Sequence, residues 1–298
     1  IDLIEENISY QEFQELLDNY SFYQDDLVGD EVGIPLYFLG KKTKNSKIKV
    51  VQVGEGADEL FYGYDHWNRY LKLNKFFKPF FKSTKKYSSF KNHRLNMLSN
   101  ILFNRTSFAG GALGFNLKEL DSLIEDGLPN HSDLIFYADN KWKDYFSNKN
   151  SKISKWMTLI DLKIRLPELL LMRMDKLVMQ SAVEARVPFL DHKLVEYVLS
   201  LPEELLIDLT NTKSLLKKVA LKYLPDQIIN RKKQGFRAPI GEWIKKDEEK
   251  FYESVQQFNS LVNLFNEREL NHILNGNDYQ KKWYLINLSN WHLARVAN

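Results

Sequence analysis

The sequence lacks cysteine altogether. Disulfide bonds, thiolate metal sites and cysteine nucleophiles are therefore excluded within its 298 residues. Such a chain suits a reducing compartment, and we expect a cytoplasmic protein. Long apolar runs are missing as well, because the strongest candidate, Leu166–Leu171, is interrupted by Pro167 and Glu168. A membrane-spanning helix needs roughly 18 uncharged apolar residues, so we expect no membrane insertion.

What is present is the composition of a globular protein. Hydrophobic residues make up 44% and charged residues 27% of the chain, which allows a sizeable core. The formal net charge of +3 is too small to imply a polyanionic partner. The chain begins at Ile1 without a methionine, so we expect a fragment whose residues 1–298 form one domain.

Residue periodicity predicts one strand and many helices. β-branched residues directly before a glycine predict a strand over Ile48–Val53, the clearest in the sequence. Apolar residues at helical spacing predict helices over residues 1–26, 34–42, 154–185, 192–200, 213–224 and 279–296. The predicted fold class is therefore α/β and predominantly helical.

An acidic, glycine-rich loop follows the predicted strand, with the sequence Gly54-Glu55-Gly56-Ala57-Asp58-Glu59-Leu60-Phe61. Its two glycines let the backbone approach a ligand closely, and N–H groups at the start of a helix favour anions. The acids would repel a bare phosphate unless Mg²⁺ bridged the two, and Asp58 is the natural ligand for that ion. The alternative is a plain strand-to-helix turn in which Asp58 caps the helix.

Two further segments carry charged residues on predicted helices. Pro188 is expected to end the helix over residues 154–185, with Asp191 capping the next helix and pairing with Arg186. Thr212 is expected to cap a basic helix that carries Lys213, where a lysine could stabilise a leaving pyrophosphate. The alternatives are a structural ion pair in the first segment and solvated lysines in the second.

Three segments, in this order, resemble the asparagine synthetase family. The first is the acidic loop, which ends Gly63-Tyr64. The second runs from Arg165 to Asp191 and contains Asp-Lys-x-x-Met and Glu-Ala-Arg-Val-Pro-Phe-Leu-Asp. The third runs from Lys213 to Trp243 and contains Lys-x-x-Leu-Lys and Arg-x-Lys-x-Gly-Phe.

The resemblance implies roles for individual residues, since the matching side chains of the family act in catalysis, bind ATP or bind Mg²⁺. It implies catalytic roles for Glu55, Glu184 and Lys233, ATP or pyrophosphate binding by Gly54, Gly56, Asp58, Asp175 and Lys213, and Mg²⁺ binding by Asp58. Tyr62 departs from the family pattern, because a glycine is commoner at its position.

The resemblance also implies a fold and a reaction. The fold would be a partial adenine-nucleotide alpha-hydrolase-like (PP-loop) synthetase domain with an incomplete parallel sheet. The enzyme would use ATP and Mg²⁺ to adenylate a carboxylate, by default aspartate, and form an amide with ammonia from glutamine. The family's Ser-Gly-Gly-x-Asp-Ser ATP loop and its amino-terminal glutaminase half have no counterpart in this sequence. We expect both on the intact protein, and we expect this chain alone to be inactive.

Other interpretations stay open. The acceptor is undetermined, since members of the family also amidate other acids, including sugar acids of surface polysaccharides. A basic and aromatic run from Arg69 to Arg105 has the composition of a nucleic-acid-binding surface. Lysine stems over an aromatic core explain the same residues as an ordinary surface, so we expect no nucleic-acid partner. A non-catalytic scaffold descended from the synthetase and a homodimeric assembly are further hypotheses.

Overall fold

The structure, a computed structural model, describes residues 3–24, 26–77, 114–128, 152–231 and 235–296. Lys233 and most of the basic and aromatic run lie outside the described residues. The predictions made for them therefore stay predictions.

The described part of the chain is mostly helical, which confirms the predicted fold class. Its first helices are α1 (Tyr10–Tyr20), α2 (Gly33–Asn45), α3 (Ala57–Leu60), α4 (Asp65–Phe77), α5 (Leu117–Leu123) and α6 (Ile153–Ile160). A wider π-helical segment (Asp161–Leu171) joins α6 to α7 (Met172–Met179). The later helices are α8 (His192–Ser200), α9 (Glu203–Leu206), α10 (Ser214–Ala220), α11 (Asp226–Ile229), α12 (Ile240–Lys246), α13 (Glu248–Val262), α14 (Glu267–Leu274) and α15 (Tyr279–Val296).

The sheet of the described residues consists of two parallel strands, β1 (Val50–Gln52) and β2 (Glu184–Arg186). Val50 lies opposite Glu184, and Gln52 lies opposite Arg186. The pairing continues just past β1, where the Val53 N–H donates to the carbonyl of Arg186 at 2.9 Å. The inner face of the pair packs on the core, while the face that carries Val50 and Glu184 is exposed.

The second strand corrects the prediction of a helix over residues 154–185. The helix ends at Met179, and Ala182 takes a left-handed conformation with φ 54° that redirects the chain. Residues 184–186 then pair with β1. Three residues are too few to show a strand period in the sequence, and pairing with a distant strand overrides local helical spacing. Pro188 therefore does not end this helix.

Several element boundaries were predicted well. α8 and α15 have the predicted bounds, and Asp191 caps α8 by accepting from the N–H groups of Lys193 and Leu194 at 3.0 and 3.2 Å. The basic helix differs, because it ends at Ala220 and its N-cap is Lys213, with no side-chain capping bond from Thr212.

The π-helical segment contains Pro167. Proline lacks an N–H and its ring crowds the carbonyl of the preceding turn, so a regular α-helix is unfavourable there. Widening of the helix accommodates such a residue. The segment still keeps an apolar side, because Leu166 and Leu170 are buried on it.

Two hydrophobic clusters hold the described residues together. One joins α1, α2 and α7 to the carboxy-terminal helices, and Phe13 of α1 stacks on Trp243 of α12 with ring centroids 4.4 Å apart. The other surrounds the loop after β1 and includes Leu60, Trp67 and Trp156, all almost fully buried. The acidic loop is therefore attached to a packed core.

Candidate active site

Gly56 determines the path of the acidic loop. Its φ of 90° is a left-handed value that favours glycine. A Cβ at Gly56 would also lie 2.4 Å from Cδ2 of Leu190, which follows β2. The loop therefore contacts the turn at the carboxyl end of the neighbouring strand. Gly54 differs, because a Cβ there would meet no described atom within 4 Å.

Asp58 and Lys213 form an ion pair beside this loop. Lys213 Nζ lies 3.0 Å from Asp58 Oδ1, and each side chain is about one-quarter exposed, at 26% and 24%. Asp58 lies in the first turn of α3, whose N-cap is Gly56, so the alternative interpretation of Asp58 as the capping residue is wrong. The structure thus joins the predicted Mg²⁺ ligand to a predicted phosphate-binding lysine.

Gly63 makes room for this ion pair. A Cβ on Gly63 would lie 1.8 Å from Asp58 Oδ1 and 2.4 Å from Lys213 Cε. Backbone bonds add to the arrangement, since the Gly63 N–H donates to the Asp58 carbonyl at 2.9 Å. A side chain at this position is incompatible with the pair as it stands.

Tyr62, the residue that departs from the family pattern, takes a left-handed conformation with φ 55°. This conformation is unfavourable for a residue with a Cβ. Burial of the ring offsets that cost, because the Tyr62 ring is almost fully buried and meets Trp67 edge-on at 5.4 Å. The tyrosine thus keeps a backbone geometry that suits glycine and adds an anchor to the core.

Glu55 faces an arginine that is buried in the helical layer. Arg173 Nη2 lies 3.7 Å from Glu55 Oε1, and Arg173 Nη1 also contacts Asp30. Burial raises the pKa of the Glu55 carboxyl, and the positive charge of Arg173 opposes that rise. The predicted catalytic glutamate therefore lies in a partly desolvated position next to a cation.

A second buried charge cluster lies on the other side of α3. The Tyr64 hydroxyl donates to Glu59, and Arg165 contacts Asp161 at 2.7 Å and Glu59 at 3.5 Å. The guanidinium also lies over the Tyr64 ring, 4.7 Å from its centroid. Burial raises the pKa of Asp161 to about 7. This cluster ties α3, which carries Asp58, to the π-helical segment.

Two predicted site residues lie away from this group. Glu184 begins β2 opposite the start of β1, whereas Glu55 follows the end of β1. Its carboxylate is exposed and pairs with Arg186 at 2.8 Å, so the predicted pair between Arg186 and Asp191 is replaced by this one. Asp175 is exposed on α7. Their predicted roles stay predictions.

Sequence reasoning missed Arg165 and Arg173 as partners of the loop acids. A signal was present, because each arginine interrupts an apolar helical pattern and has buried neighbours, including Leu166 beside Arg165 and Met174 beside Arg173. Buried arginines are almost always paired. The partners of Arg173 could not be named, because Asp30 and Glu55 lie far away in the sequence, whereas Asp161, a partner of Arg165, lies only four residues before it.

The side chains at the loop fit a magnesium ion that arrives with a phosphate ligand. The described residues contain no group of three or more His, Cys, Asp or Glu side chains that could hold a metal ion. Mg²⁺, however, is commonly held by one or two carboxylates together with substrate phosphates. Asp58 meets that requirement, and the Lys213 ammonium already lies at a cation position next to it.

An acidic glycine loop after a parallel strand, with a lysine beside its aspartate, is chemically suited to a phosphate-bearing ligand. The family model for asparagine synthase matches residues 1–293, so the chain belongs to that family. The resemblance carried by the three motifs is thereby confirmed.

Individual relatives agree with the family assignment. Asparagine synthetase [glutamine-hydrolyzing] 1 of Bacillus subtilis is 30% identical over 86% of this chain and 41% of its own length. A Mycobacterium tuberculosis protein that carries the family name as a provisional assignment is 29% identical over 98% of this chain and 46% of its own. Asparagine synthetase [glutamine-hydrolyzing] 3 of Bacillus subtilis is 26% identical over 78% of this chain and 34% of its own. The chain thus spans less than half the length of these relatives.

No solved structure gives a significant match to the chain. Among the described helices, none combines the length and the apolar character that crossing a membrane requires.

Proposed function

We propose that the protein containing this chain is an ATP-dependent amidotransferase of the asparagine synthetase type. A substrate carboxylate, by default aspartate, attacks the α-phosphorus of ATP and pyrophosphate leaves. Ammonia derived from glutamine then attacks the acyl carbon, AMP leaves, and the surplus proton passes to solvent. The observation that carries this proposal is the contact between Asp58 and Lys213 at 3.0 Å in the acidic loop of an asparagine synthase family chain.

The loop residues have distinct parts in this reaction. Asp58 would hold Mg²⁺, which neutralises phosphate charge when it is bound. Lys213, already beside Asp58, would turn its ammonium to the phosphate oxygens and stabilise the charge of the leaving pyrophosphate. Gly63 has no Cβ and therefore leaves room for both of these side chains.

The remaining roles come from the family resemblance. Glu55 would lie at the acyl group, and Glu184 and Asp175 would line the adenylate site. Lys233 would stabilise the oxyanion formed when ammonia attacks.

The intact protein would carry further segments and partners. The three relatives described above are more than twice as long as the part this chain matches, and all three are named glutamine-hydrolyzing. We therefore propose a glutaminase domain that supplies ammonia and an ATP-loop segment that completes the nucleotide site. A cytoplasmic location and a homodimeric assembly belong to the same proposal.

The test is pyrophosphate release with Mg·ATP, ammonium or glutamine, and a panel of carboxylates that includes aspartate and sugar acids. The assay compares this chain with the full-length encoded protein. Release from the full-length protein with one carboxylate, accompanied by amide formation, would support the proposal and identify the acceptor. Absence of release from the full-length protein with every carboxylate would contradict it.

A further inference from the structure

Arg173 is a buried cation that contacts two carboxylates from distant parts of the chain. Its side chain is 9% exposed, and its neighbours Met174 and Leu177 are buried in the core. One guanidinium nitrogen pairs with Asp30, which precedes α2, and the other faces Glu55 in the acidic loop. The arginine therefore links the loop to the helical layer.

The two contacts differ in kind. Arg173 and Asp30 form a close ion pair with a hydrogen bond. The 3.7 Å between Arg173 and Glu55 is an ion-pair distance that is too long for a hydrogen bond. Asp30 therefore fixes the guanidinium, while Glu55 is attracted to it and keeps some freedom of movement.

The arginine still has unused bonding capacity. Its Nε and the Oδ1 atom of Asp30 are buried without a hydrogen-bond partner among the described residues. A buried guanidinium deprived of its acids would be strongly unfavourable. Asp30 alone balances the single positive charge of the guanidinium, and Glu55 is a second carboxylate attracted to the same cation.

We propose that Arg173 is a positioning residue that holds the Glu55 carboxylate in place. This inference rests on the proposed function, in which Glu55 lies at the acyl group of the substrate. Arg173 itself acts only through Glu55. The segment around Asp30 acts through Arg173, since it fixes the guanidinium from the other side.

The charges around Glu55 explain why a cation is needed there. Burial raises the pKa of the Glu55 carboxyl, and the nearby acids Glu59 and Asp58 add to the rise. Arg173 is the strongest opposing influence, and Arg165 opposes the rise more weakly. The two acids nearest Glu55 are themselves paired, since Asp58 contacts Lys213 and Glu59 contacts Arg165. Glu31 is a further acid that raises the pKa of Asp30. Without Arg173, burial and the charges of Glu59 and Asp58 would raise the pKa of Glu55 with little opposition.

A purely structural role for Arg173 gives different expectations. In that case the arginine only joins the segment before α2 to α7, and its loss would lower stability without involving Glu55. Arg165 provides a matched control, because it lies on the same helical run, is 14% exposed, and pairs with Glu59 and Asp161.

The first experiment is a double-mutant cycle in the full-length protein, read as the kcat and KM of pyrophosphate release. Arg173→Gln should lower kcat on the order of 100-fold with little change in KM for ATP, because a misplaced reacting group costs about that much. Arg173→Lys should recover part of this loss. In the Glu55→Gln background, adding Arg173→Gln should lower kcat by less than about threefold. Adding Arg165→Gln should lower kcat there by the same factor as it does in the wild-type protein.

The second experiment follows the carboxyl of Glu55 by NMR in the full-length protein, with ¹³C-labelled glutamate assigned by comparison with the Glu55→Gln spectrum. Arg173→Gln should raise the pKa of Glu55, and Asp30→Asn should lower it by freeing the guanidinium for Glu55. Arg165→Gln should change it less. Asp30→Asn and Arg173→Lys keep the test usable if Arg173→Gln fails to fold.

The outcomes separate this inference from the proposed function. A full-length protein that releases no pyrophosphate would contradict the proposed function, while the NMR titration would still decide whether Arg173 controls the charge of Glu55. Independent, multiplying effects of Arg173→Gln and Glu55→Gln would overturn the inference. An unchanged pKa of Glu55 in the Asp30→Asn variant, and in the Arg173→Gln variant where it folds, would also overturn it.

Discussion

A methyl group at Gly63 should break the contact between Asp58 and Lys213. The added Cβ would lie 1.8 Å from Asp58 Oδ1 and 2.4 Å from Lys213 Cε, far inside van der Waals contact. Overpacking of this kind costs about 1–3 kcal/mol. Loss of a partly exposed ion pair adds at most about 1 kcal/mol after solvent screening. We therefore expect Gly63→Ala to lower the free energy of unfolding of the chain by about 1–4 kcal/mol.

The measurement is the urea-induced unfolding of the 298-residue chain, monitored by circular dichroism. Gly54→Ala is the control, because its Cβ would meet no described atom within 4 Å, and a change within about 0.5 kcal/mol is expected. A third variant, Gly63→Ala with Lys213→Ala, should recover part of the loss, since the longer of the two clashing side chains is gone. Equal unfolding midpoints for Gly63→Ala and wild type would refute the reasoning about this contact.

Three further predictions concern the acidic loop and the buried charge cluster beside it. Burial moves the pKa of Asp161 from 3.8 to about 7, so the folded chain should lose stability, by up to about 4 kcal/mol, as pH rises between these values. Asp161→Asn should remove most of that dependence in urea unfolding, and an unchanged pH profile would contradict this. Tyr62→Gly should relieve the left-handed backbone but lose the buried ring, for a net destabilisation of about 2–3 kcal/mol, and a gain in melting temperature would contradict this. In the full-length protein, Asp58→Asn should raise the Mg²⁺ concentration needed for half-maximal pyrophosphate release, whereas an unaltered requirement would exclude Asp58 as a ligand.

The contrast between the two strands shows where local pattern is informative. β1 was predicted because β-branched residues precede a glycine, although the strand itself covers only Val50–Gln52 of the predicted Ile48–Val53. β2 was missed because its residues continue a helical spacing up to Ala185 and form a strand only against β1. Strand pairing depends on the partner, and the partner lies more than a hundred positions away in the sequence.

In and around the acidic loop, some side chains could be identified from the sequence, whereas some of their contacts could not. Glu55, Asp58 and Lys213 were identified by motif, and the structure places Asp58 against Lys213. Asp191 was correctly predicted as a cap, because a cap involves only neighbours in sequence. Arg186 was paired with the wrong acid, since several acids lay within reach of that turn and only the strand geometry selects Glu184.

The family, the helical α/β class and the candidate residues of the loop could be read from the amino-acid sequence, because each depends on short contiguous motifs. Which distant charges meet depends on how the folded chain packs. Arg173 reaches both Asp30 and Glu55 because α7 packs beneath the acidic loop and against α2. Such contacts depend on how distant segments pack, and the type of a residue does not identify its distant partner.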